Sequence, residues 1–198
     1  MRLLPYGDRA VLVELPGSDA VRALHAAARA LPGVEELVPA ERTLLVVAAP
    51  ADLAAVTAAL RALRPAPVPA GAGPLVELPV VYDGEDLADV AARTGLAPGE
   101  VVARHSGATY AVASTGFAPG FAYLSGLDPL LHLPRRDTPR VRVPAGSVAV
   151  AAGWSAVYPR ASPGGWHMLG RTDAVLFDVD RDPPALLVPG TRVRFVPR

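Results

Sequence analysis

Hydrophobic and polar positions in the first 64 residues alternate between two periods, and the elements they predict come twice in the same order. Val11-Leu12-Val13 is a short apolar run behind the Tyr6-Gly7-Asp8 turn and predicts a strand. Ser18 then stands as the N-cap of a helix whose apolar positions Val21, Leu24, Ala28 and Leu31 keep helical spacing until Pro32-Gly33 stop it. Residues 34–38 and 43–48 read as strands. After Pro50 a second helix repeats the apolar face with Leu53, Val56, Leu60 and Leu63, and Pro65 ends it. Two amphipathic helices with three or four strands predict a small α/β domain over residues 1–64, of the ferredoxin-like kind.

Residues 65–74 (PAPVPAGAGP) have the composition of a semi-rigid linker. Beyond it the pattern changes. Residues 75–82 read as a strand, and two short helices follow, one near 85–94 and one from Pro98. From residue 109 the signals are short apolar or β-branched runs between turns, at 109–113, 141–143, 147–151, 174–179 and 192–196. Short strands at that spacing predict a β-barrel or sandwich over residues 75–198, so the whole chain reads as α+β. The segment 86–106 has the helix–Gly turn–helix cadence of a DNA-reading motif. Its second helix offers only Arg104 and His105 for phosphates or bases, and its first is acidic, so an αα-hairpin lying on the barrel is the better reading.

Composition removes several chemistries. The chain of 198 residues has no cysteine, which excludes disulfides, thiolate nucleophiles and Cys-based zinc sites. All 19 basic residues are arginine, so Schiff-base lysines and a Walker-type phosphate loop are excluded too, and no lysine is present to carry biotin. The formal net charge is zero, which gives no general attraction to nucleic acid or acidic membranes. No apolar run reaches the ~18–20 residues of a membrane span, and the N-terminus is broken by Pro5, Gly7 and charges too early for a signal peptide. A cytoplasmic protein is the expectation.

Candidate chemistry concentrates in residues 116–178, where glycines and prolines prescribe a detailed backbone path around aromatic and arginine side chains. Arg135, Arg136, Arg140 and Arg142 fall within eight residues against one acid, Asp137. On a regular strand Arg140 and Arg142 share one face, with Val141 and Val143 on the other. Two guanidinium forks on one face suit a carboxylate or phosphate, or else form a solvated face of ion pairs. Ser162-Pro163-Gly164-Gly165-Trp166 offers adjacent backbone N–H groups for an anion and a flat indole wall, or a tight turn with a core tryptophan. Tyr158 and Arg160 precede it and Arg171 follows. Phe117, Phe121 and Tyr123 alternate as in a strand and can line one face. The histidines, His25, His105, His132 and His167, lack metal-ligand spacing, so no metal is expected. His105 ends a helix, where the dipole favours its charged form, and is a candidate acid, base or cap. No GxSxG nucleophile elbow exists. The residues by themselves support an anion-binding β domain and identify no reaction.

Four motifs in order, GFAPGFAYLSGLDP, PRRDTPRVRVPAGSVAVAAG, YPRASPGGW and LGRTDAVLFD, resemble the family that contains the B-type subunits of 5-oxoprolinase, the first subunit of allophanate hydrolase and a sporulation histidine-kinase inhibitor. PYGDRAVLVEL, GVEELVPAERTLLV and LPVVYDGEDLADVAARTGL resemble further segments of it, so the resemblance runs along the whole chain. It implies a cyclophilin-like barrel behind the N-terminal domain. It also implies partners, a C-type protein related to carboxyltransferases and an A-type protein related to amidohydrolases. The function it implies is one subunit of an ATP-dependent complex that opens 5-oxoproline to glutamate, inactive alone. ATP is then used by the complex, with no metal or covalent cofactor on this chain. Docking on a histidine kinase, or a part in urea and allophanate metabolism, are the alternatives. On this reading Arg140 and Arg171 bind the substrate and phosphate anions, Tyr158 and Trp166 position the ring, and His105 carries protons. Arg136, Arg142, Ser162, Gly164, Gly165, Phe117 and Tyr123 complete the wall. Gly153-Trp154-Ser155-Ala156-Val157 departs from the Gln/Thr/Gly-containing segment expected before Tyr158, which leaves fine substrate specificity open.

Overall fold

The computed structural model describes residues 1–66 and 73–198, which form two compact units divided between Ala72 and Gly73. The linker expected at residues 65–74 lies largely outside the described residues.

In the first unit the chain runs β1 (Arg2–Tyr6), β2 (Ala10–Glu14), α1 (Ser18–Ala28), β3 (Val34–Pro39), β4 (Thr43–Ala48) and α2 (Leu53–Ala62). The four strands form one antiparallel sheet in the order β1-β2-β4-β3. Both helices turn their predicted apolar stripe to it. Val21, Leu24, Ala28, Val56 and Leu60 bury against Val11, Val13, Leu44, Val46 and Ala48, with Leu31, Leu53 and Leu63 at the margin. Two local expectations change. Ser18 is the first helical residue and caps nothing, because Gly17 holds the N-cap position with no side-chain hydrogen bond. Strand β1 goes beyond what the pattern predicts, since Pro5 interrupts it. Proline is tolerated there because β1 is an edge strand, paired on one side only.

The second unit begins with β5 (Leu75–Val80), α3 (Leu87–Thr94) and α4 (Pro98–Gly107). It continues with β6 (Tyr110–Thr115), β7 (Ala122–Ser125), β8 (Arg140–Val143), β9 (Ser147–Ala151), β10 (Trp154–Val157), β11 (Ser162–Gly164), β12 (His167–Arg171) and β13 (Arg192–Pro197). Seven strands form a sheet in the order β12-β9-β10-β7-β6-β13-β5. A bridge from Val81, just after β5, to Arg171 at the end of β12 joins the two edges into a barrel-like whole. Closure of this kind satisfies edge N–H and C=O groups that would otherwise stay open.

The period of two in β9 sorts its side chains to the two faces of the sheet. Val148 and Val150 enter the main core with Leu78, Val80, Leu124, Leu169 and Phe195, whereas Ala149 and Ala151 face a second cluster containing Phe121, Tyr158 and Trp166. The αα-hairpin of α3 and α4 adds Val90, Ala91 and Val101 to the main core. Arg104 of α4 is paired with Asp128 at 2.8 Å and His105 is fully buried, so both are held within the protein.

The strand expected at 174–179 is absent. Only Phe177 bridges Ala185 there, and Val175 and Val179 are exposed. The facing segment contains Pro183 and Pro184, which have no N–H to extend a ladder. Strand β8 also departs from expectation. Its pairing with β11 matches Ser162 to Val143 and Gly164 to Arg140, so the register shifts between them. That irregularity breaks the alternation: Val143 is fully buried while Val141 is 90% exposed.

Candidate functional site

Outside the barrel, on the face carrying Ala149, Ala151 and Ala156, the side chains are small and leave room for rings. Five aromatic groups fill that room. Phe121 stands edge-on to Phe117, Tyr123, Tyr158 and Trp166, with ring centroids 5.1–5.9 Å apart, and Tyr123 meets Trp166 at 5.9 Å. Edge-to-face contacts at this spacing are favourable for ring quadrupoles. The cluster does not close completely. Phe117, Tyr123, Tyr158, Gly164, Gly165 and Trp166 line a pocket of about 90 Å³ with Phe121, Pro163 and Arg135. Three larger hollows, of about 430, 450 and 520 Å³, are lined mainly by aliphatic side chains. Aromatic, glycine and cationic groups converge at the smallest, so the chemistry is sought there.

Two backbone features shape this pocket. A Cβ on Gly164 would stand 2.3 Å from the Tyr158 hydroxyl oxygen, so only glycine lets that phenol reach the β11 backbone. Phe117 has φ 67° although it is not glycine, and the residue is 61% exposed. A bulky residue held in the left-handed region without being buried carries a cost of order 1–3 kcal/mol that packing alone does not repay. Phe117, Phe121 and Tyr123 therefore meet, but not as one strand: Phe117 lies in the loop after β6, Phe121 precedes β7, and Tyr123 lies within it.

The arginines divide sharply. Arg140 donates from both terminal nitrogens to Asp86, at 2.9 and 2.8 Å, and its Nη2 also reaches Glu85 at 3.2 Å. Arg136 donates to the same carboxylate at 2.6 Å, and the Met168 amide does so at 2.7 Å. Asp86 is 3% exposed. Burial opposes its ionisation, but the Arg140 hydrogen bonds, the Met168 amide and the two guanidinium charges outweigh that and hold the carboxyl below its ordinary range. The donors of Arg140 are thus spent within the protein. Arg171 pairs with Asp83 at 2.9 Å. Arg142 is exposed and has no carboxylate partner among the described residues, and it does not line the pocket. Ser162 Oγ is buried without a hydrogen-bond partner among the described residues and also lies off the pocket wall.

His105 sits elsewhere, inside the barrel. It stacks on Phe195 at 4.5 Å; its Nδ1 lies 2.7 Å from the Tyr82 hydroxyl and its Nε2 2.8 Å from Ser155 Oγ. Ser155 in turn reaches the Ala149 carbonyl at 3.4 Å. One proton assignment satisfies the whole chain: Tyr82 donates to Nδ1, Nε2–H donates to Ser155, and Ser155 donates to Ala149. That requires a neutral imidazole, and burial depresses its pKa to about 3. The helix-end argument for a charged His105 is therefore overruled by desolvation, and its contacts lie within the core. Nothing local in the sequence marks Asp86 or Ser155 as important, because each acquires its role from residues about fifty or more positions away. Tyr82 likewise matters only through His105, in a different element. Arg135 is visible in the sequence only as one of four clustered arginines.

Among the described residues no group of three or more His, Cys, Asp or Glu side chains could hold a metal ion, and no helix is long and apolar enough to cross a membrane. A nucleoside triphosphate suits neither of the two hollows that Phe117 lines. The aromatic pocket is far below the ~300–1,000 Å³ of clefts that enclose larger ligands. The 450 Å³ hollow beside the 115–120 loop has no charged side chain in its lining among the described residues.

Known proteins share both the sequence and this architecture. The chain is 52% identical over 126 residues to the 5-oxoprolinase B subunit of Escherichia coli O157:H7, covering 62% of this chain and 58% of that protein. The corresponding protein of Bacillus subtilis (strain 168) is 44% identical over 125 residues, covering 62% and 52%. The matches thus span little more than half the length of these relatives. The crystal structure of TTHA0988 superposes with a TM-score of 0.85 at 38% identity, covering 96% of this chain and 40% of that one. PH0987 from Pyrococcus horikoshii gives 0.62 at 34% identity, covering 100% and 97%. The urea amidolyase of K. lactis, at 19% identity, gives a TM-score of 0.72 over 99% of this chain and 15% of that one, a likeness of fold. The family model for the carboxyltransferase domain, subdomain C and D, matches residues 1–187, and this chain belongs to that family.

Proposed function

We propose that this chain is the B-type subunit of a 5-oxoprolinase, an ATP-dependent complex that opens 5-oxoproline to glutamate. The observation that carries the reading is the 44–52% identity to curated 5-oxoprolinase B subunits of distant bacteria. The aromatic pocket supports it, being a small flat-walled site next to a cation. In this reading Tyr158, Trp166, Tyr123 and Phe117 hold the lactam ring and exclude water from it. Arg140 and Arg136 act indirectly: through Asp86 they tie the 134–140 segment to the Met168 backbone and so fix one side of the pocket. His105 keeps the barrel core in register. ATP supplies the phosphoryl group that turns the unreactive lactam carbonyl into an electrophile. Neither the aromatic pocket nor the hollow beside the 115–120 loop suits a nucleotide, and its binding is assigned to a partner.

The partners proposed are a C-type protein related to carboxyltransferases and an A-type protein related to amidohydrolases, in a cytoplasmic complex. An exposed Phe117 at the pocket rim supports a partner surface closing over it. The two units are proposed as separate domains. The C-terminal one is a cyclophilin-like barrel. The N-terminal one is a permuted ferredoxin-like unit, whose edge strand beside β2 precedes it in the chain instead of following α2. The readings as a kinase inhibitor or as part of a urea-metabolising enzyme gain no specific observation beyond the shared fold.

Reconstitution tests the proposal. The three proteins together should release glutamate from 5-oxoproline in an ATP-dependent manner, and omission of this chain should abolish it. Equal turnover without this chain would refute the assignment.

A further inference from the structure

Of the arginines grouped at 135–142, one combines three properties. Arg135 lines the aromatic pocket, has no carboxylate within salt-bridge distance among the described residues, and sits on a pinned backbone. The pinning comes from both neighbours. The Arg136 amide donates to the Gly165 carbonyl at 2.8 Å, and His167 Nε2 lies 2.9 Å from the Pro134 carbonyl. Arg136 is further tied by its side chain to Asp86. Residues 134–136 are thereby fixed across from Gly165, and the Arg135 side chain alone is left uncommitted. Its charge is felt at the pocket wall: burial raises the Tyr158 pKa, and the nearby Arg135 guanidinium opposes that rise.

We infer that Arg135 is the anion-binding residue of the aromatic pocket, and that the pocket accepts a compact ring whose carboxylate pairs with that guanidinium. The walls select the ring. Phe121, Tyr123, Tyr158 and Trp166 present flat apolar surface around about 90 Å³, which admits one small ring and excludes a nucleotide. Arg135 selects the anion. A guanidinium fork matches the two oxygens of a carboxylate, and Arg135 is the only charged side chain lining the pocket among the described residues. The reading of the preceding subsection supplies the biological ligand, 5-oxoproline, and the inference rests on that reading for this identity only.

The test uses Trp166 as its reporter. The chain has two tryptophans, so a Trp154→Phe background leaves only the one in the pocket. Its fluorescence is titrated with 5-oxoproline, with cyclopentanecarboxylate, with 2-pyrrolidinone, which keeps the ring but lacks the carboxylate, and with acetate, which lacks the ring. Saturable responses are expected with the two ring carboxylates. Binding should be weaker by about tenfold or more for 2-pyrrolidinone, for acetate and for the Arg135→Met protein, the loss typical of a charge-assisted hydrogen bond. Arg135→Lys should recover part of it. Unchanged binding in Arg135→Met, equal binding of 2-pyrrolidinone, or no saturable response to either ring carboxylate would each overturn the inference. Cyclopentanecarboxylate separates this from the proposed reaction, because it has no lactam to open. If it binds through Arg135 while the reconstituted complex leaves 5-oxoproline intact, the oxoprolinase reading falls and the site stands. If the complex turns over 5-oxoproline normally with Arg135→Met, the reading stands and the site falls.

Discussion

At the scale of single residues the pocket depends on positions where the side chain is chosen by space alone. Gly164 is the sharpest case, since any Cβ there meets the Tyr158 hydroxyl at 2.3 Å. Gly164→Ala should push Tyr158 off its packing against Phe121, at a cost of about 1–3 kcal/mol for overpacking. The Trp166 fluorescence response to cyclopentanecarboxylate should be lost with it. Chemical denaturation together with that titration checks both, and an unaltered response would show that Tyr158 is not part of the binding wall. Gly165 next to it is different. A Cβ there meets nothing closer than 3.6 Å, so its value lies in the backbone and not in clearance.

At the scale of elements the decisive contact is the buried carboxylate at the start of α3. Asp86 accepts from Arg136, from Arg140 and from the Met168 amide, and so joins α3, β8, β12 and the segment before β8. Removing the charge from one side of a buried ion pair leaves the other side uncompensated. Asp86→Asn should therefore cost about 3 kcal/mol, near the low end for such pairs because Arg140 and Arg136 are partly exposed. Its pH dependence follows from the lowered pKa. The contribution is complete above the unfolded carboxyl value, near 4, and is lost as pH falls through the lower folded value. Denaturant titrations of wild type and Asp86→Asn should accordingly differ at pH 7 and converge in strong acid. Identical stability at pH 7 would mean that the Asp86 charge does not hold the two arginines and that they are free to bind ligand.

At the scale of the whole barrel, His105 is the group that couples stability to ordinary acidity. Its folded pKa lies near 3, below the unfolded value near 6.5, so the unfolded chain takes up a proton first as pH falls. Stability is complete above about pH 6.5 and declines between there and pH 3, by about 1.4 kcal/mol per unit at the steepest. From pH 7 to pH 5 the barrel should lose about 2 kcal/mol through this one residue. His105→Gln keeps a donor toward Ser155 and an acceptor toward Tyr82 but cannot titrate. Its stability should be lower at pH 7 and much flatter with pH, and an unchanged slope would refute the linkage.

What the amino-acid sequence determined by itself is whatever depends on near neighbours along the chain. Helical periods placed the buried faces of α1 and α2, and Gly and Pro punctuation placed the α3–α4 hairpin between two strands. The clustering of aromatics, glycines and arginines in residues 116–178 marked the region of the site. Tertiary structure alone decided which of those residues face one another. Strands β7, β10 and β12 are too short, and their pairing too distant in sequence, for a local pattern to show that Phe121, Tyr158 and Trp166 meet on one face. A register irregularity in β8 turned Val141 outward against the alternation rule. The four clustered arginines look alike in sequence; Asp86, about fifty residues away, singles out Arg136 and Arg140 as the two that hold the fold, and of the remaining two only Arg135 lines the pocket. Charge pairing acts through space and not along the chain, which is why the wall was legible in the residues and its cation was not.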